Sequence, residues 1–225
     1  MLLPRQVIPL VCVFVCVQSG PVSAVSRNAW KKIEVGLDAD RACCLYVFPE
    51  PDGGTIVAAD KSVYYDKNQG RFHRLFSFTH AEDLINDVWG DLSRGRVLVA
   101  TGRGLYHAPL GGGPAERIFS AADERQRKCR TVMMQREAIY LGTERGAYVR
   151  RDEKDLWRKL PRLGDSPVYQ IAEAKEWIYF VSDREVLAFH AGGEWQQVYS
   201  RGVTATDGDA ESEVSRAAAR LAVRH

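Results

Sequence analysis

Four cations recur in this sequence at nearly constant spacing: Lys61, Arg103, Arg145 and Arg184 stand 42, 42 and 39 residues apart. Each lies inside a short polar break, in "ADKS", "TGRG", "TERG" and "SDRE". If the fold brings these breaks to one face, the cations form a circlet able to attract an anion or an acidic surface. They are therefore the candidate binding residues. Asp60, Gly102, Glu144 and Asp183 precede them, so three of the four breaks are locally neutral, and polar turn residues also occur without any ligand.

Other residue types with chemical potential are scattered. The histidines, at 73, 80, 107, 190 and 225, have no metal-ligand spacing and no cysteine two or three residues away, so neither a metal nor a cofactor is expected. "GRG" at 102–104 is flanked by two apolar runs and opens no helix, which makes it a strand-to-strand turn and not a phosphate cradle. Asp87, Asp91 and Glu173 are the carboxylates nearest to a glycan-cleaving pair, yet they occupy non-equivalent positions. Cys43 and Cys129 each stand three residues before an apolar anchor, Tyr46 and Val132, at a position filled elsewhere by Ile85 and Val168. That reads as a small core residue, with an adjacent Cys43–Cys44 pair as the alternative.

The elements that carry these residues are repeats. Aligned on their last aromatic, "TIVAADKSVYY", "VLVATGRGLYH", "IYLGTERGAYV" and "IYFVSDREVLA" place Tyr64, Tyr106, Tyr148 and Leu187 in one column, 42, 42 and 39 residues apart. Downstream, "RFHRLF", "AERIF", "LWRKLP" and "EWQQVY" close each unit around Phe72, Ala115, Trp157 and Trp195. Upstream lie "CCLYVF", "INDVWG", "CRTVMM" and "VYQIAEA". Each unit thus holds four short Val-, Ile- and aromatic-rich runs separated by Gly, Asp, Asn and Pro, the pattern of four antiparallel strands. The second run is apolar at consecutive positions, as at Val97, Leu98 and Val99, so both faces of its sheet must be covered.

Four-stranded sheets at this period, each hiding its neighbour's flank, describe a β-propeller. The motif of three apolar residues, Ala or Gly, Thr, two residues, Gly, an apolar residue and Tyr resembles the BNR-like, photosystem II assembly factor-like and two-component-regulator-like propeller repeats. The resemblance covers residues 30–199 and implies an all-β propeller of four recognisable blades, at about 34–76, 77–119, 120–160 and 161–199. It implies little about function. Sialidase-type Asp boxes are replaced by "APLGGGPAER" and "RRDEKDLWRK". A lone strand at 29–34, with Trp30 in register 42 residues before Phe72, favours an incomplete ring.

At the N-terminus, "MLLPR", the apolar run "VIPLVCVFVCV" and "VSA" form the pattern of a secretory signal peptide over 1–24, cleaved after Ala24. The run is too short for a comfortable membrane span. Residues 201–211 read as a polar linker. Residues 212–225 read as a helix, with Ser212 as N-cap and Val214, Ala217, Ala218, Leu221 and Ala222 on one stripe. The charge of +2 comes from 31 Lys+Arg against 29 Asp+Glu, and removing residues 1–24 takes one Arg and leaves +1. Nothing in that balance calls for nucleic acid. The sequence therefore predicts a secreted or periplasmic, non-catalytic propeller scaffold or protein-binding module, not an enzyme, with a protein partner or a second copy completing the ring. A glycan-active hydrolase or lyase, and a structural subunit closed by another chain, are the alternatives.

Overall fold

The computed structural model describes residues 42–48, 53–80, 83–174, 176–190 and 193–200. The signal peptide, the lone strand with Trp30, the linker and the terminal helix expected from the sequence lie outside the described residues.

Among the described residues sixteen strands form four sheets, each an antiparallel meander in chain order. The first sheet holds β1 (Ala42–Val47), β2 (Thr55–Ala59), β3 (Ser62–Asp66) and β4 (His73–Ser77). The second holds β5 (Ile85–Asp91), β6 (Arg96–Thr101), β7 (Gly104–Pro109) and β8 (Glu116–Phe119). A short α-helix, α1 (Glu124–Arg127), leads into the third sheet, of β9 (Cys129–Gln135), β10 (Ala138–Thr143), β11 (Gly146–Arg150) and β12 (Arg158–Lys159). The fourth holds β13 (Val168–Ala174), β14 (Trp177–Ser182), β15 (Glu185–His190) and β16 (Trp195–Ser200).

The first strands lie side by side, β1 on β5, β5 on β9 and β9 on β13, so the sheets stack around one line of inner strands. The continuous apolar runs are explained by this stacking. In β6, Val97 and Val99 enter the core shared with the first sheet, while Leu98 and Ala100 enter the core shared with the third. In β10, Ile139 and Leu141 face the second sheet and Tyr140 faces the fourth. A strand whose alternate residues serve two cores has no polar face to display. The architecture is an all-β propeller repeat fold. Three cores join the four sheets, and among the described residues β1 and β13 lack the packing that joins the other first strands.

Each first strand also departs from regular pairing at the same place. Opposite the second strand the register skips Cys43, Asn86, Arg130 and Tyr169, one β-bulge per sheet. A bulge inserts an unpaired residue and re-aims its side chain. Counted from these bulges, Cys129 shares its position with Ile85 and Val168 as expected, but their counterpart in the first sheet is Ala42 and not Cys43.

Candidate functional site

The four repeated cations lie in the turns between second and third strands, all at the bulged end of the sheets. The connections between sheets return to that same end, where Phe78 N–H donates to the Lys61 carbonyl (2.8 Å), Gly102 N–H to that of Leu84 (3.3 Å) and Glu144 N–H to that of Lys128 (3.1 Å).

Three of these turns are built alike. Thr101 Oγ1 donates to the Gly104 carbonyl (3.0 Å) and accepts from Arg103 N–H (3.1 Å). Thr143 Oγ1 repeats both bonds with Gly146 (2.9 Å) and Arg145 (3.1 Å), and Ser182 Oγ does so with Glu185 (3.0 Å) and Arg184 (3.3 Å). Gly146 is required because its φ is +94° and a Cβ there would stand 2.6 Å from the Gly164 carbonyl. The backbone of the turn is thus fixed, and with it the root of each arginine.

The side chains then diverge. Arg145 donates from Nε to Asp165 (3.0 Å) and from Nη1 to Asp123 (3.1 Å), which ties its turn to the loops before and after the third sheet. Lys159 also pairs with Asp165. Arg184 is 82% exposed, with Asp183 4.0 Å away. Lys61 and Arg103 form no ion pair among the described residues. The circlet is therefore a positional repeat with four different environments.

Arg103 opens on a cleft, of about 540 Å³, between the second and third sheets. Its lining combines the bulge residues Asn86 and Arg130, the turn residues Arg103 and Glu144, and Glu124, Arg127 and Lys128 from α1 and its end. Asn86 Nδ2 donates to the Cys129 carbonyl (2.7 Å). Arg130 is held from two sides: Nη2 donates to Glu144 Oε1 (2.8 Å), and the guanidinium carbon lies 5.2 Å from the centre of the Tyr169 ring. Lys128 pairs with Glu124 at 2.9 Å and with Glu144 at 4.0 Å. The hydrogen bond from Lys128, then its charge, hold the Glu124 carboxyl below its ordinary range, and both glutamates raise the Lys128 ammonium. Both carboxylates are engaged by cations, while Arg103 and Arg127 form no ion pair among the described residues, although the Arg127 charge acts on Glu124. The sequence reading missed Arg127, Lys128 and Arg130. Their signal was the basic run "RQRKCR", which spacing between units cannot find because it occurs once.

The three carboxylates considered for glycan cleavage are kept apart. Asp87 Oδ2 accepts from Thr131 Oγ1 (2.8 Å) and Val132 N–H (2.9 Å), and Oδ1 from Val88 N–H (2.9 Å). Burial pushes its carboxyl above the ordinary range against these three bonds. Asp91 lies four residues along the same strand, about 13 Å away at ~3.3 Å per residue. It is buried, but hydrogen bonds from Ser93 and Arg96 outweigh that burial and lower its carboxyl. Glu173 accepts from Gln135 (3.0 Å).

No family model matches the chain, and no curated protein matches it by sequence. Its fold is shared by many solved structures. The extracellular domain of a one-component system from B. thetaiotaomicron is 14% identical at a TM-score of 0.59, over 78% of this chain and 24% of that one. Virginiamycin B lyase from Staphylococcus aureus is 9% identical at 0.61, over 80% and 62%. A GH74 enzyme from Niastella koreensis is 13% identical at 0.53, over 72% and 30%. The chain thus spans less than two thirds of the length of each. These are propeller-type proteins, and the likeness establishes the fold. They correct the expectation that the chain is not an enzyme: hydrolases and lyases stand beside extracellular domains among its structural neighbours, so the architecture carries no exclusion of catalysis. Among the described residues no helix is long and apolar enough to cross a membrane.

Proposed function

We propose that the chain is an exported propeller module that binds a protein partner through the face bearing the Lys61, Arg103, Arg145 and Arg184 turns. The observation that carries this reading is the cleft between the second and third sheets, where a hydroxyl-fixed turn presents Arg103 and the end of α1 presents Arg127, neither of them in an ion pair among the described residues. Loops held on a rigid frame are where recognition concentrates. Export rests on the signal-peptide pattern at 1–24.

Site-specific photocrosslinking tests the face. A photoreactive residue at Leu84, which is 58% exposed at the cleft, captures a partner in cells, and Arg103→Glu abolishes that capture. The same probe at Leu156, in the loop between β11 and β12, captures none. Crosslinks from Leu156 alone, or crosslinks at Leu84 indifferent to Arg103→Glu, would overturn the proposal. The leader is tested separately, by the N-terminal sequence of the protein recovered from outside the cytoplasm, expected to begin at Val25.

A further inference from the structure

The cleft also indicates what chemistry its partner must bring, an inference that rests on the binding reading above. Four cations and two carboxylates line it. Glu124 is engaged by Lys128, and Glu144 by Arg130 and Lys128, so the excess positive charge belongs to Arg103 and Arg127. The Nε–H groups of Arg127 and Arg130 are buried without a hydrogen-bond partner among the described residues, so neither guanidinium has its full set of donors engaged within the chain. Arg130 is already oriented by Glu144 and Tyr169, so little rotamer freedom remains to be lost on binding. The whole chain carries only +2, which makes this concentration of unpaired guanidinium local.

Guanidinium groups favour carboxylate and phosphate because their planar fork matches two oxygens. The two glutamates choose between them: they stand beside the site and repel a doubly charged phosphate more than a singly charged carboxylate. Leu84 adds an exposed apolar surface at the same cleft. We infer that the cleft between the second and third sheets binds an acidic segment of a protein, in which Asp or Glu side chains reach Arg103 and Arg127 and an interleaved apolar residue rests on Leu84.

The test uses the full chain and a fluorescent Glu-Leu-Glu-Leu-Glu peptide read by anisotropy, beside its Gln-Leu-Gln-Leu-Gln counterpart. The acidic peptide binds, more weakly as salt rises, and the glutamine form binds at least about tenfold more weakly. Arg103→Glu and Arg127→Glu each weaken binding by about tenfold or more, whereas Arg71→Glu, an equal charge change on the β3–β4 loop, leaves it unchanged. Arg103→Gln and Arg127→Gln, with melting temperatures checked, give the same order should a reversal disturb folding. The inference is overturned if the two peptides bind alike, if Arg71→Glu has the same effect, or if inorganic phosphate or single-stranded DNA binds the cleft in preference to the peptide. Loss of peptide binding with Leu84 crosslinks intact and sensitive to Arg103→Glu would remove the acidic segment and leave the partner face standing.

Discussion

One hydroxyl in each of three sheets decides where an arginine starts. Thr101, Thr143 and Ser182 close their turns with one donated and one accepted bond, and the first sheet, with Ala59 at that position, lacks the device. Thr143→Val keeps the shape and strips both bonds, leaving the Arg145 N–H and Gly146 carbonyl without their partner. Such a loss at a buried site costs about 1–3 kcal/mol, read as a lower urea midpoint at unchanged slope. The turn motif was legible because it repeats. The fate of each arginine was not, since Arg145 meets Asp123 and Asp165, 22 and 20 residues away on loops that differ from sheet to sheet. Of the four candidates named by spacing, only Arg103 belongs to the cleft, and the basic companions Arg127, Lys128 and Arg130 came from a run that occurs once.

At the scale of elements, what the sequence concealed was a displacement of one residue. Aromatic Tyr46 looks like the anchor opposite β2, but the pairing makes Leu45 the counterpart of Val88, Val132 and Ile171. A bulge leaves no mark in composition, so the bulge residues Asn86, Arg130 and Tyr169 could not be read as a set. Asp87, next to its bulge, joins two elements by accepting from Thr131 and Val132 across the β5–β9 contact. Burial raises its carboxyl pKa in the fold above the unfolded value, so the native state binds more protons than the unfolded chain between those two values. Its stabilising contribution is complete below the unfolded pKa and is lost as pH rises through the folded one. The melting temperature of the wild type relative to Asp87→Asn should therefore be highest in acid and fall as pH rises through the carboxylate range. A difference that grows with pH would mean that the hydrogen bonds, not burial, dominate at this site.

At the scale of the molecule, repetition made the fold legible: four units, four sheets, and apolar runs that serve two cores at once. Connectivity between the ends was not legible, because no local pattern states whether a last sheet meets a first. The three shared cores make the described sheets an array in which each depends on its neighbours, and in such arrays stability is close to a sum of unit and interface terms. The core between the second and third sheets is the middle link. Leu141 is fully buried in it, and Leu141→Ala costs about 2–5 kcal/mol at such a position. In an open array this weakens the main apolar packing between two halves among the described residues, so they unfold separately: urea denaturation followed by circular dichroism acquires a second transition, or a smaller slope because less surface is exposed in each step. Were the first and fourth sheets joined, each half would still be held through the other route, and the variant would unfold in one step at the wild-type slope. Val181→Ala, in the small cluster on the far flank of the fourth sheet, is the matched control, since the described residues of that cluster, Val181, Val186, Tyr179 and Tyr199, all belong to the fourth sheet. It should lower the midpoint and leave a single transition, and a split produced by Val181→Ala as well would show that cooperativity depends on packing at the flanks and not on the middle link.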